Sequence, residues 1–431
     1  MSFNIWHSRK DGAMSKREAY PKQDSPSTEV LEPYRQRYRW VMLALVWLLY
    51  FVFGVVTASL APLITPILKD LGISYSQMGF ILGSWPLTYI VVSIMAGALM
   101  DRWGIRKSVF VGIIIVGLSE ILRYFANGFG TMLLCVTLFG LGGPMISIGC
   151  PKVVAVWFHG KERGMAAGAY MTGNWIGALT AYSTANSLVM PITGYSWRLT
   201  FVIYSLLPFA AALLWWWLAR DIKTQAATGS VSIIKVFASL IRVRTVQLVL
   251  VMGFFFFAVT HGFNEWLPKL LETGGLPPTI AGFAASIPLF IGIPAVFVIP
   301  RLAAPHLRGR IIILTSLGMA IAMLVVTTQS GIPLVMGLGL YGLSFPSIMP
   351  ILMLVLMDLS EVGSRYMGSA AGMFFCVAEI GGFAGPFLMG TIKDWTGGFI
   401  AGAAFLAVLA LALSAMALFL KSKHPVASKA Q

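Results

Sequence analysis

The chain has 431 residues, of which 58% are hydrophobic and only 11% are charged, and its mean hydropathy is +0.82. A soluble domain, in which about a quarter of the residues are charged, has no way to bury that much apolar surface. The composition therefore excludes a water-soluble protein and indicates one that resides in a membrane.

The first predicted element is a polar segment, 1–39, whose Pro, Ser, Lys and Glu content is typical of a disordered tail. Apolar runs follow it, each long enough to cross a bilayer core of roughly 30 Å. Because a backbone in lipid must satisfy its own hydrogen bonds, these runs are predicted to be helices. The predicted spans are 40–66, 78–99, 108–126, 131–157, 163–190, 197–218, 245–267, 279–300, 311–327, 332–357, 368–392 and 400–420.

The basic residues are distributed unevenly between the two sides of these twelve spans. With the tail on the cytoplasmic side, the 31 Lys and Arg divide into 25 inside, 5 at the outer side and 1 within a span. Such a bias is the positive-inside rule, and it predicts an integral protein of the plasma (inner) membrane with both termini in the cytoplasm. The net charge of +15 is explained in this way, and no nucleic-acid partner is expected.

A basic loop separates the first six spans from the last six, and small residues repeat between the two groups. Gly177 in the fifth span and Gly381 in the eleventh, each preceded by an Ala-Ala-Gly, are offset by 204 residues. The predicted fold is an all-α membrane protein with two pseudo-symmetric six-helix halves. Its units are the tail 1–39, the N-terminal half 40–218, the linker 219–244, the C-terminal half 245–420 and the tail 421–431.

The loop between the second and third spans carries a charged motif that runs from Gly97 to Lys107, G-A-L-M-D-R-W-G-I-R-K. Its pattern, G-x-L-x-D-R-x-G-x-R-K, resembles the signature loop of the major facilitator superfamily. The resemblance implies a secondary transporter with twelve helices, whose two halves rock about a central site by alternating access. It also implies a conformational latch at the inner face, formed by Gly97, Asp101, Arg102, Gly104, Arg106 and Lys107.

In this latch, Asp101 is expected to contact the N-terminal end of the eleventh helix, where a carboxylate is stabilised by the helix dipole. Gly97 and Gly104 are expected to permit close approach and a tight turn. The basic residues of the motif also serve the predicted topology, which is the simpler interpretation of Arg102.

A second segment, Trp157–Gly168, joins the fourth and fifth spans. It resembles the W-F-x-x-x-E-R-G-x-A-x-G stretch of superfamily members that carry small anions, in particular the cyanate-permease-like and monocarboxylate-like branches. The resemblance implies uptake of a small organic anion such as a carboxylate, with protons as the coupling ion. No cofactor is expected, since the chain lacks a G-x-x-x-x-G-K-[ST] motif and gradients must supply the energy.

Charged residues within the spans are candidate site residues, because a charge at the bilayer centre costs at least roughly 2.5–3.5 kcal/mol. Lys152 in the fourth span is predicted to attract the substrate anion; the alternative is a lysine that snorkels to the interface. Glu379, a lone carboxyl near the middle of the eleventh span, is predicted to carry the proton. The alternatives for Glu379 are a packing hydrogen bond or an ion pair across the halves.

The seventh span places His261, Asn264 and Glu265 on one side, because residues three and four apart are neighbours on a helix. They are predicted to gate the outer mouth or to relay protons. The alternative is a wet helix end, with Trp266 as an anchor at the membrane interface.

Two uncharged residues, Asn174 in the fifth span and Tyr341 in the tenth, are predicted to hydrogen-bond the substrate. Glu120 and Arg123, three residues apart on the third span, are predicted to form a structural ion pair. The protein is expected to work as a monomer among membrane lipids.

Two other functions fit the same sequence. An exporter of amphipathic compounds is favoured by the Phe-rich seventh span, which contains Phe254–Phe257. A transporter-like sensor would bind a ligand without moving it, although a sensor has no need of the latch motif. No nucleophile–base or metal constellation is visible, so an enzyme is not predicted.

Overall fold

The structure, a computed structural model, describes residues 33–221 and 233–420, apart from the side chains of residues 33–36, 94, 97, 98, 101, 161, 233–236 and 363–365. The described residues are almost entirely helical and contain no β-strand. The helices are α1 Pro33–Ala58, α2 Ile64–Leu71, α3 Tyr75–Trp103, α4 Ile105–Leu122, α5 Phe129–Trp157, α6 Gly160–Thr184, α7 Met190–Ile192, α8 Trp197–Leu218, α9 Ile233–Leu240, α10 Arg244–Thr273, α11 Pro278–Leu302, α12 Arg308–Thr328, α13 Gly331–Ser344, α14 Ile348–Met357, α15 Gly363–Thr396 and α16 Ile400–Ala417.

These helices follow the predicted spans in order. Ten helical segments of the described residues are long and apolar enough to cross a membrane. The second and fifth predicted spans correspond to two further long helices, α3 and α6. The helix of the first span starts at Pro33, before residue 40, where the apolar run begins. The predicted all-α membrane fold is confirmed.

The first span is interrupted toward its C-terminal end and the tenth near its centre. The first consists of α1, a 3₁₀ turn at Ala61–Leu63 and α2, and the tenth of α13, a 3₁₀ turn at Phe345–Ser347 and α14. Pro62 and Pro346 lie in these turns, where the missing N–H of proline breaks the α-helical hydrogen-bond pattern. A π-helical turn, Ala185–Val189, follows α6. Non-helical backbone within the membrane is tolerated where it is buried in protein or borders a cavity.

Glycines set equivalent helix contacts in the two halves. A Cβ on Gly177 of α6 would overlap the carbonyl oxygen of Phe51 on α1, and a Cβ on Gly381 of α15 would overlap that of Phe254 on α10. These are the two glycines that the sequence relates at an offset of 204 residues. The internal repeat is therefore visible in the packing, since each pair of backbones approaches more closely than any larger residue permits.

The two halves meet along two helix pairs. α3 packs on α15, where a Cβ on Gly83 would lie 2.6 Å from the Phe383 carbonyl oxygen. α6 packs on α11, where Gly282 lies against the Tyr182 carbonyl. These two seams enclose the candidate site between the halves.

Exposed aromatic side chains lie at both ends of the helices. Trp103 and Trp217 are 47% and 70% exposed at one end, and Tyr195 and Trp395 are 72% and 81% exposed at the other. Tyr and Trp favour membrane interfaces because their rings are amphipathic. The charge bias predicts that the first pair lies toward the cytoplasm, so its end is called the predicted inner end and the opposite one the predicted outer end.

Candidate functional site

A cavity of about 200 Å³ lies between the two halves, beside the interruptions in the first and tenth spans. Its lining combines amide, hydroxyl, imidazole and carboxyl groups with aromatic rings. The lining residues are Gly54, Thr57, Ala58, Asn174, Trp175, Ala178, Tyr182, His261, Asn264, Glu265, Leu289 and Phe345.

Four of the predicted site residues meet at this cavity. Asn174 comes from α6, and His261, Asn264 and Glu265 come from one side of α10. His261 Nδ1 lies 3.6 Å from Glu265 Oε1, and the two side chains are only 20% and 13% exposed. The wet helix end considered as the alternative is therefore wrong, because these groups face the interior between the halves.

Aromatic side chains form the walls and the roof of the cavity. The Trp175 ring of α6 stacks on the Phe345 ring of the tenth span, with centroids 5.4 Å apart and an interplanar angle of 25°. On the predicted outer side, the Tyr182 hydroxyl donates a hydrogen bond to the backbone carbonyl oxygen of Asn264 across 2.8 Å. This bond joins α6 to α10 and so connects the two halves above the cavity.

Glu379 does not line the cavity but lies beside it. A Cβ on Gly382 would be 2.9 Å from Glu379 Oε2 and 3.3 Å from His261 Nδ1, so both atoms border the same small space. Glu379 is 6% exposed. Packing of α15 on α10 places this carboxyl on the same side as the imidazole that faces the cavity, and its role as a proton carrier stays a prediction.

The cluster of His261, Glu265 and Glu379 contains polar atoms without hydrogen-bond partners. His261 Nδ1, Glu265 Oε2 and Glu379 Oε2 are buried and accept or donate no hydrogen bond among the described residues. Buried polar groups are nearly always satisfied in folded proteins, and exceptions suggest a functional role. These unsatisfied buried atoms make the cluster the candidate functional site of the described residues.

Two side chains of α3 that the sequence analysis missed complete the surroundings of the cluster. The Trp85 ring lies over the His261 ring, with centroids 5.8 Å apart, and next to the Glu265 carboxyl. Tyr89 lies within electrostatic reach of Glu379, and its hydroxyl is 2.6 Å from the Ser147 hydroxyl of α5. Aromatic residues in an apolar span do not stand out in a sequence, which is why neither was predicted.

The remaining predicted substrate residues lie apart from the cavity. Tyr341 is fully buried and stacks on Phe345, with centroids 4.9 Å apart, so it supports the wall instead of lining it. Lys152 is half-buried on α5, beyond Ser147 toward the predicted inner end. Trp266 is fully buried, and its Nε1 donates to the Pro386 carbonyl across 2.9 Å. Its interpretation as an interface anchor is therefore wrong.

The signature loop is anchored to its own half. Gly104, with φ of +84°, turns the chain between α3 and α4, as predicted for a glycine at this point. The Arg106 N–H donates to Asp221 Oδ1 across 2.9 Å, and the Arg106 guanidinium lies over the Trp216 ring of α8. Arg102 and Lys107 are exposed. The Asp101 side chain and the surroundings of Gly97 fall outside the described part of the structure, so the latch stays a prediction.

The Glu120–Arg123 pair is completely buried, with 2.8 Å between Glu120 Oε2 and Arg123 Nη1. Arg123 Nη1 also donates to Ser59 Oγ across 3.1 Å, directly after the end of α1. The guanidinium carbon lies 5.0 Å from the Phe201 ring centre. The pair therefore connects α4 to the interruption in the first span and to α8, which is a structural role. Neither residue lines the cavity.

A polar network joins the halves at the predicted outer end. The Thr65 hydroxyl of α2 donates to Glu272 of α10, and Lys269 Nζ donates to Thr65 Oγ1 across 2.8 Å. The Lys269 and Glu272 side chains are 12% and 9% exposed. Within residues 33–221 and 233–420, no group of His, Cys, Asp or Glu is arranged to hold a metal ion.

Long apolar helices in two related halves, with a polar cavity between them, define a membrane transporter. The chain belongs to the Major Facilitator Superfamily, whose family model matches residues 46–386. The relatives and the family are transporters, and the protein is accordingly a transporter and not an enzyme.

Two distant relatives match most of the chain. A hexuronate transporter of Bacillus subtilis is 26% identical over 410 residues, which are 89% of this chain and 95% of the relative. A quinolone resistance transporter of Acinetobacter baumannii is 24% identical over 378 residues, covering 79% of this chain and 84% of the relative. Among solved structures, the E. coli fucose:proton symporter matches with a TM-score of 0.61 and 18% identity, over 89% of this chain and all of that one.

Proposed function

We propose that the protein takes up a small organic acid anion, of the sugar-acid kind, together with protons across the plasma membrane. The observation that carries this proposal is the cavity between the halves, where amide groups lie beside the cluster of His261, Glu265 and Glu379. Relatives named as transporters of hexuronate, galacturonate and galactarate/D-glucarate support the substrate class. The two halves would alternate access to the cavity, in a monomer with both termini in the cytoplasm.

Asn174, Asn264 and Thr57 offer hydrogen bonds that suit the hydroxyl and carboxylate oxygens of a sugar acid. Trp175 and Phe345 offer apolar ring faces to its carbon skeleton. Lys152, toward the predicted inner end, would attract the anion along its path rather than hold it in the cavity.

The charges around the cavity support the proposed proton coupling. His261 is the one basic side chain in its described lining, whereas Glu265 and Glu379 are two acids beside it. Ionised carboxylates would repel an entering anion, and in a medium of low polarity that repulsion is strong. Protonation of the cluster removes the repulsion, so the anion and the proton bind together.

Uptake by cells that produce the protein tests the substrate class. Labelled galacturonate, glucuronate and glucarate are supplied at pH 6 and pH 8, with cells lacking the protein as the baseline. Faster uptake of at least one sugar acid at pH 6 is expected. Equal uptake with and without the protein for all three would refute the sugar-acid assignment.

Replacement of Asn174 by alanine is expected to raise the half-saturating substrate concentration about tenfold, because a hydrogen bond to a charged or hydroxylated ligand is lost. Initial uptake rates over a range of concentrations measure the effect. Asn127→Ala, which alters an exposed loop asparagine bonded to Thr131, is the matched control and should leave the value unchanged. An unchanged value for Asn174→Ala would remove this residue from the site.

Export of amphipathic compounds is the second candidate function, favoured by the aromatic walls and by the quinolone resistance relative. Cells that produce the protein would then tolerate more quinolone than cells without it. The same cells would show no uptake of sugar acids, so the two assays together separate the candidates.

A further inference from the structure

The last turn of α15 contacts the first turn of α3, on the other half of the protein. Asp394 Oδ1 accepts a hydrogen bond from the Tyr75 N–H across 3.1 Å. Asp394 Oδ2 accepts from the Ser76 N–H across 2.7 Å and from the Ser76 hydroxyl. A carboxylate of one half thus binds the N-terminus of a 29-residue helix of the other half.

α3 begins with a capping box formed by its own residues. The Ser74 hydroxyl accepts from the Gln77 N–H across 3.1 Å, and the Gln77 side chain accepts from the Ser74 N–H across 3.0 Å. This capping box serves the start of the helix but leaves the Tyr75 and Ser76 N–H groups without a local acceptor. Asp394 supplies that acceptor from the other half. The capping box is local to α3, whereas the Asp394 contact connects the two halves.

The neighbouring residues hold the two helix ends in close contact. Gly390 of α15 lies against the Tyr75 carbonyl, where any larger residue would overlap it. The Lys393 ammonium lies 5.3 Å from the centre of the Tyr75 ring. Toward its predicted inner end, α15 is loosely packed at its glycines. A Cβ on Gly368 or Gly372 would meet no atom within 4 Å.

We propose that Asp394 is a positioning residue of the transport cycle, which holds the predicted outer ends of α3 and α15 together and releases them when that end opens. α3 and α15 run antiparallel along the seam between the halves, so Asp394 at one end complements the predicted role of Asp101 at the other. The proposal rests on the alternating access proposed above, but its contacts do not depend on which substrate is carried.

Loss of the Asp394 charge is expected to shift the conformational equilibrium toward the state that is open at the predicted outer end. An interaction between a carboxylate and an exposed helix N-terminus predicts a shift of about two- to fivefold. Asp394→Asn and Asp394→Ala should show this shift, and Asp394→Glu, which keeps the charge, should largely restore the parent behaviour.

Cysteine labelling measures the shift without any substrate. Cys135, Cys150 and Cys376 are replaced by serine, and Ala178→Cys places one thiol on the wall of the cavity. A membrane-impermeant maleimide is added either to intact cells or to inside-out vesicles. In Asp394→Asn, labelling from outside should rise about two- to fivefold while labelling from inside falls.

Asp70→Asn is the matched control, because Asp70 binds Trp197 and Arg198 of its own half at the same end. Labelling of this variant should match the parent from both sides. Unchanged labelling in Asp394→Asn would overturn the proposal. An equal rise from both sides would overturn it too, since that result indicates general loosening and not a shift between two states.

Discussion

Substitution of Glu379 by glutamine is expected to abolish the accumulation of substrate driven by a pH difference while leaving exchange of substrate across the membrane intact. Glutamine has the shape of a protonated glutamate but releases no proton, so the cluster with His261 stays permanently in the form that admits an anion. Counterflow in proteoliposomes measures exchange, and net uptake with an imposed pH gradient measures accumulation.

Glu361→Gln is the control for this substitution, because Glu361 is exposed on the loop before α15 and remote from the cavity. It should retain both activities. If Glu379→Gln still accumulates substrate, Glu379 is not the proton carrier. Glu265→Gln then becomes the decisive variant, since Glu265 is the other acid at His261.

Replacement of Arg123 by methionine is expected to destabilise the protein by about 3–5 kcal/mol, the usual cost of leaving one member of a buried ion pair unpaired. The Glu120 carboxylate would remain in a site that is 0% exposed, and Ser59 would lose its donor at the end of α1. Thr57 and Ala58, which border the cavity, precede this point directly, so transport should fall as well. Thermal unfolding in detergent measures the loss.

Two further variants define the origin of that loss. Asp358→Asn breaks an ion pair with Arg308 whose carboxylate side is 52% exposed, so it should cost less than about 1 kcal/mol. The double variant Glu120→Leu with Arg123→Met removes both charges and should recover most of the stability of the parent. If Arg123→Met unfolds at the parent temperature, the pair has no structural role.

The class of fold could be predicted from the sequence because lipid imposes simple rules on it. The apolar runs and the bias of basic residues indicate a membrane protein, and the loop from Gly97 to Lys107 indicates the family. The same-side placement of His261, Asn264 and Glu265 was also predictable, because it depends only on helical periodicity.

Relations between helices were much harder to predict. The approach of Glu379 to His261 depends on the register of α15 against α10, which close contacts at Gly381 and Gly385 determine. The sequence shows both glycines but not which backbone each one contacts, so it does not predict that Glu379 lies near His261. Trp266 was misplaced for the same reason, since its bond to Pro386 crosses between these two helices.

Other site residues have side chains that do not stand out in an apolar span. Trp85, Trp175 and Tyr182 look like ordinary membrane aromatics in the sequence. Only the fold shows that Trp175 and Tyr182 line one cavity and that the Trp85 ring lies over His261 beside it. Asp394 and Asp221 lie at helix ends, where an acid is commonly a solvated residue. Their contacts with the N-termini of α3 and α4 are visible only once the helices are packed.

Proton movement in proteoliposomes tests most directly the proposal that the protein carries a sugar acid together with protons. Purified protein is reconstituted with a pH-sensitive dye inside, and galacturonate, glucuronate or glucarate is added outside without any imposed gradient. Acidification of the interior that requires the substrate, and that is absent with Glu379→Gln, is the predicted result. Substrate entry without acidification would contradict proton coupling, and outward proton movement driven by an amphipathic cation would instead identify an exporter.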